Sequence, residues 1–181
     1  EHTLLRLAEI AANQELLADA RAYLRRLWEL RSERGDDGAA AECLIRLAEL
    51  PEADAETLLT GARASKVLGQ TPRAVTLFRA AAEQLQKAGR SAAALDALSQ
   101  VVALEPQDVE LRRQLANQYF AAGLTEDASR FLDAETAGMD PDLLLSLASI
   151  ESARKDDAAA RSTLTRVIAV APDRAVDILR L

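Results

Sequence analysis

Side chains able to do chemistry are few in this chain. The only histidine, His2, stands at the second position, so a histidine-based triad, dyad or multi-histidine zinc site cannot be assembled from it. Cys43, the single cysteine, shares an apolar helical face with Leu44 and Leu47, the setting of a small core side chain rather than a nucleophile. The glycines are scattered, and none belongs to a glycine-rich loop that could cradle a phosphate. The GDDG stretch at 35–38 lacks the alternating oxygen ligands and distal glutamate of a calcium loop. A helix start capped by Asp36 or Asp37 is the expected role. Asp156 and Asp157 are sequence neighbours at another expected helix start, where the macrodipole favours negative charge, so they are read as capping rather than as an acid/base pair. These residues point to no catalysis, no metal and no cofactor. Trp28 has a type enriched in binding hot spots. Standing one residue after Leu27, it falls at the edge of an apolar stripe, and core packing is its expected role.

The composition explains what must position any remaining function. Of 181 residues, 49% are hydrophobic and 28% charged, as in a folded protein. The apolar share is mostly Ala and Leu, with one Trp, two Tyr and three Phe. Ala and Leu favour helices, and strand formers are scarce, so an all-α fold is expected. The net charge of −7 argues against a general nucleic-acid binder, which needs an excess of Lys and Arg. Residues 1–54 carry a net −5, residues 55–125 a net +2 and residues 126–181 a net −4. That basic middle fits either an anionic partner segment or an ordinary solvated helical surface. A lone cysteine excludes an internal disulfide framework and fits a reducing compartment, so a cytoplasmic location is expected. There is no apolar run of membrane-spanning length, so no membrane insertion is expected. The only methionine is Met139, and the chain is expected to be a piece of a longer protein.

Gly, Pro, Asp and Ser punctuate the chain at short intervals, with apolar residues three and four apart between them. About eleven helices are expected, near residues 2–14, 16–33, 37–50, 53–69, 72–88, 91–104, 108–122, 125–137, 141–154, 157–170 and 173–181. Thr71 before Pro72, and Asp140 before Pro141, have the form of a helix cap followed by a first-turn proline. Links this short make neighbouring helices antiparallel.

In residues 115–128, LANQYFAAGLTEDA, the small Ala116 and Ala128 allow two helices to approach, while Leu115, Tyr119 and Leu132 fill the space around them and Gly123 ends the first helix. The spacing builds a helical hairpin. It resembles the tetratricopeptide repeat, a 34-residue helix-turn-helix unit. Similar patterns recur at Leu144, Leu147, Ala148, Ala160, Leu164, Val167 and Pro172; at Phe78, Ala81, Ala82, Leu85, Gly89, Ala94, Leu98, Val101 and Pro106; and at Leu7, Ala8, Ala20, Leu24 and Leu27. The fit is loosest over residues 35–70. There a second periodicity shows: residues 3–50 align with 57–104 at an offset of 54, pairing Thr3 with Thr57, Leu4 with Leu58, Ala8 with Ala62, Ala20 with Ala74 and Gly35 with Gly89. Three helices per unit would place equivalent helices on opposite faces of an alternating stack.

The resemblance implies a right-handed superhelical solenoid over residues 1–181, a single array with degenerate repeats at 1–70 and more regular ones at 71–181. It implies a non-enzymatic scaffold that holds a partner peptide or helix in a concave groove, while the Ala-, Leu-, Arg- and Asp-rich composition resembles that of high-GC bacterial proteins, so a bacterial source is expected. The residues expected to line that groove are Arg79, Glu83 and Lys87, then Arg113, Asn117 and Phe120, then Ser149. Arg113 and Asn117 match two positions of a carboxylate clamp found in some members, but Ser146 and Val176 stand where its other polar residues belong. The alternative is an oligomerisation or regulatory module of a larger enzyme, sensor or envelope or motility assembly. The apolar 173–181 helix is expected to be covered by a continuing array or by another copy, giving self-association through that end.

Overall fold

The computed structural model describes residues 1–174. Among them are eleven α-helices, no strand, and a closing 3-10 turn at Pro172–Arg174. The helices are α1 (His2–Asn13), α2 (Leu17–Glu33), α3 (Asp37–Glu49), α4 (Ala55–Val67), α5 (Thr71–Lys87), α6 (Ser91–Leu104), α7 (Val109–Ala121), α8 (Thr125–Ala128), α9 (Ala134–Ala137), α10 (Pro141–Ala153) and α11 (Asp157–Val170). They form two compact units, residues 1–104 and residues 105–181. The expected helix over 173–181, Val176 included, lies outside the described residues except for Asp173 and Arg174, which belong to the 3-10 turn.

Local signals set most boundaries. Asp36, Asp54, Asp108, Asp140 and Asp156 each accept a first-turn backbone N–H with the side chain, satisfying donors that the helix leaves unpaired. The GDDG stretch is therefore a capped helix start, with Asp36 accepting from the Ala39 N–H at 3.1 Å. One expected cap is displaced: Gln70 is the cap of α5, and Thr71 is already helical. Glycines 35, 69, 89 and 123 follow helices with positive φ, where a residue without Cβ is least strained.

In the first unit each helix packs on its neighbours in sequence. The 54-residue offset is exact for the long helices, since Leu17–Glu33 maps onto Thr71–Lys87. Burial follows it: Ala8 and Ala62, Ala20 and Ala74, Leu24 and Phe78, Leu27 and Ala81, and Cys43 and Ala97 are all core residues. Cross-helix ion pairs fix the two rows. Arg46 of α3 meets Glu9 of α1, and Arg73 of α5 meets Glu42 and Glu49 of α3, so α1, α3 and α5 run side by side. Lys66 of α4 donates to Gln100 of α6 in the opposite row. Helices related by the offset, such as α2 and α5, therefore occupy different rows.

The second unit packs α7, α10 and α11 around Ala116, Leu132, Ala137, Leu143, Leu144, Leu147 and Val167. The single helix expected over 125–137 is corrected here to two short ones separated by residues 129–133. Asp133 adopts an extended backbone and caps α9 by accepting from the Thr136 N–H at 2.7 Å. Arg112 of α7 holds it there, bonding Asp133 at 2.6 Å and Glu135 at 2.9 Å. Continuing α8 would forfeit that cap and both charged contacts, while Leu132 is buried without a continuous helix.

Candidate functional site

The first unit offers an open groove of about 470 Å³ walled by α2 and α4 and floored by α3. Its surface comes from Arg21, Arg25 and Trp28 on one wall, Thr57 and Thr60 on the other, and Leu44 and Leu47 below. It runs on into a second depression of about 370 Å³ that shares Trp28, Leu44 and Thr60 and adds Arg63 and Val67. Trp28 is 38% exposed and Val67 81% exposed, so apolar surface faces solvent on both walls. Trp28 is thus at the rim of the core rather than within it. Its sequence position showed the ambiguity, because it follows fully buried Leu27 by one residue, a turn of about 100° on a helix.

Charges of both signs border the groove. Arg21 donates to the Pro51 carbonyl at 2.8 Å and to the Glu52 carbonyl at 3.2 Å, tying the wall to the α3–α4 turn. Glu29 is paired with Arg26, and Glu56 with Arg90. Arg25 and Arg63 have no ion pair among the described residues. Asp54, at the mouth, is held below its ordinary pKa because its carboxylate accepts the Thr57 backbone N–H. Cys43 is fully buried beneath Arg31. Burial pushes its thiol up, against the pull of that guanidinium, which disfavours the thiolate needed for nucleophilic chemistry.

The residues expected from sequence to line a groove fall in both units. Arg79, Glu83 and Lys87 are exposed on α5, and Glu83 and Lys87 form an ion pair at 2.7 Å. Glu83 is held below the usual carboxylate range by that Lys87 bond. On α7, Asn117 is exposed while Phe120 is partly buried against the second unit's core. Arg113 donates from Nε to the Thr136 carbonyl at 3.0 Å. Ser149 is exposed on α10. The sequence reading passed over Arg25, Thr60, Arg63 and Val67, which become neighbours of Trp28 only once α2, α3 and α4 are stacked.

Residues 85–137 match the model of a family described as tetratricopeptide repeat. This stretch is similar to the tetratricopeptide repeat. It holds Leu115, Ala116, Tyr119, Gly123, Ala128 and Leu132, the residues that carry the resemblance most clearly. Tyr119 stacks on Phe131 with ring centroids 5.6 Å apart, so the aromatic of the repeat is packed as its spacing implies. Among solved structures, the chain is similar to the nearly identical TPR-like repeats of a Podosopora anserina protein described as a kinesin light chain, at 18% identity over 93% of each chain and a TM-score of 0.41. It is similar to MamA from Desulfovibrio magneticus RS-1, at 22% identity over 85% of this chain and 96% of that one, with a TM-score of 0.34. It is also similar to YrrB, described as a TPR protein with an unusual peptide-binding site, at 18% identity over 94% and 98% with a TM-score of 0.38. No curated protein matches the chain. Among the described residues no helix is long and apolar enough to cross a membrane.

Proposed function

We propose that the chain is a non-enzymatic scaffold that holds a partner peptide or helix, and that in residues 1–104 the partner lies between α2 and α4. The observation that carries this reading is Trp28, 38% exposed on the wall of an open groove floored by Leu44. An indole combines a large apolar surface with one N–H donor, and loses few rotamers on being covered. Val67 extends the apolar strip, and Arg25, Arg63 and Thr60 supply polar contacts at its edges. A segment lying along the strip would cover the indole while its own charges met those at the rim. The tetratricopeptide match supports a protein partner, and the single buried thiol fits action in the cytoplasm. The exposed Arg79, Glu83 and Lys87 of α5 in the first unit, and separately Arg113, Asn117, Phe120 and Ser149 of α7 and α10 in the second, are the other proposed contacts, and binding on α5 must compete with the Glu83–Lys87 pair.

Affinity capture from the native lysate separates the groove from these other contacts. The intact chain is compared with Trp28→Ala and with a combined Arg79→Ala, Lys87→Ala and Asn117→Ala variant, each first shown to be folded. Loss of a specific partner with Trp28→Ala alone is the expected result. Capture that survives Trp28→Ala and vanishes with the triple variant would move the site to the polar faces; capture untouched by either would overturn the groove reading.

A further inference from the structure

The two walls of the Trp28 groove run in the same direction. Arg21 near the start of α2 bonds the Pro51 carbonyl beyond the end of α3, and Arg31 near the end of α2 bonds the Ala39 carbonyl at the start of α3, so these two helices are antiparallel. Gly61 of α4 stands against Ala48, and Gln70 just after α4 bonds Glu42, so α4 is antiparallel to α3 and parallel to α2. Trp28, Leu44 and Thr60 belong to both depressions of the groove and mark its centre. Of those two depressions, Arg25 lines only the larger and Arg63 only the smaller. Arg25 precedes Trp28 by three residues and Arg63 follows Thr60 by three, so their guanidinium groups flank the indole from opposite walls and opposite ends. At 1.5 Å per helical residue their backbones are roughly 9 Å apart along the groove.

The carboxylates of the groove are already occupied. Glu29 pairs with Arg26 at 2.8 Å and Glu56 with Arg90 at 3.0 Å. Asp54 accepts the Thr57 N–H, and Asp37 lies in the first turn of α3, where the helix dipole favours its charge. Glu52 shares its turn with Arg21, which donates to its carbonyl. Arg25 and Arg63 differ: both are exposed, and among the described residues neither has a hydrogen bond or an ion pair. An occupant bringing carboxylates to the two ends would pair with both, whereas a cationic occupant would meet like charge twice. Covering the indole between them excludes water and strengthens the flanking pairs.

We propose that the groove selects an acidic peptide segment, with a large apolar residue seated on Trp28 and Leu44 and an Asp or Glu on each side of it meeting Arg25 and Arg63. The proposal rests on the reading of the Trp28 groove as the partner site and adds the chemical class of the partner. An extended chain advances about 3.3 Å per residue, so carboxylates three residues apart match the separation of the two arginines. The apolar anchor supplies the burial and the flanking carboxylates supply the selectivity.

Trp28 is the only tryptophan, so its emission reports directly on whether the groove is covered. The whole chain is titrated with the synthetic peptide GSDEFLDEGS, its amide counterpart GSNQFLNQGS and its basic counterpart GSKKFLKKGS. A saturable blue shift with the acidic peptide is expected, with affinity roughly tenfold or more above that for the amide peptide, and added salt should narrow the difference. R25E with R63E should remove the preference for the acidic peptide; should that variant lose its helical circular dichroism, R25Q with R63Q gives the same comparison. Equal affinity for the acidic and amide peptides, preference for the basic one, or a preference unchanged in the double variant overturns the acidic class while leaving the groove reading in place, since Trp28 is still covered. No spectral change with any of the peptides also overturns the acidic class, and the groove reading is then decided by whether Trp28→Ala loses its captured partner.

Discussion

Gly61 of α4 stands so close to Ala48 of α3 that a Cβ at Gly61 would collide with the alanine side chain. It would also lie 3.2 Å from the Leu44 carbonyl oxygen and 3.4 Å from Leu77 Cδ1. A glycine in mid-helix costs about 1 kcal/mol relative to alanine, so close approach is what offsets it. Gly61→Ala recovers that propensity but overpacks the seam against backbone on one side, a change worth roughly 1–3 kcal/mol. The expected net effect is a loss of up to about 2 kcal/mol, because the Ala48 Cβ is fixed to its backbone and cannot rotate away. Denaturant unfolding measures it, and pairing with Ala48→Gly relieves part of the loss. A more stable Gly61→Ala protein would show that α3 and α4 are farther apart.

The same contact shows where sequence reading succeeded and where it stopped. The offset of 54 could be read from pairs such as Ala20 and Ala74 because both are fully buried and small core residues leave a regular trace. Helix ends were legible wherever an aspartate caps its own helix, as at Asp140 and Asp156. The break after α8 was not, because Phe131 and Leu132 continue a helical apolar pattern. Arg112, far from it in sequence, decides the outcome by fixing Asp133. The groove was hidden for a similar reason. Trp28, Thr60 and Val67 lie on two helices that are not consecutive, and their proximity exists only after α3 has been packed beneath them.

Asp54 links stability to pH. Its carboxylate accepts the Thr57 N–H at 2.7 Å, and this bond keeps its folded pKa below the ordinary 3.8. The folded state therefore binds the Asp54 proton less readily than the unfolded state does. The cap's charge-dependent contribution is complete above the ordinary value and is lost as pH falls through the lower, folded one. Asp54→Ala is expected to cost about 1 kcal/mol at neutral pH, and the gap from the parent should narrow in acid. Asp54→Asn, which caps without a titrating charge, should show no such loss of its own cap contribution. Melting curves from pH 2 to 7 make the comparison; a constant gap between parent and Asp54→Ala would contradict the linkage.

Arg113 presents a case in which a candidate contact also holds the fold. Its Nε donates to the carbonyl of fully buried Thr136, and its guanidinium occupies space beside Gly138, where an added Cβ would lie 2.6 Å from Nη2. Gly138 itself has φ 53 and ψ −119, a conformation that side chains resist. Removing the guanidinium leaves a carbonyl in the α9 turn without that charged donor, at a cost of about 1–2 kcal/mol. Arg113→Ala should therefore loosen α9, seen as faster hydrogen exchange at residues 134–138. Exposed Asn117, one turn along the same helix, should change exchange little when replaced by alanine. If both variants exchange alike and yet Arg113→Ala alone loses a partner, the side chain acts at the surface; if exchange and binding change together, its effect on the partner runs through the turn it braces.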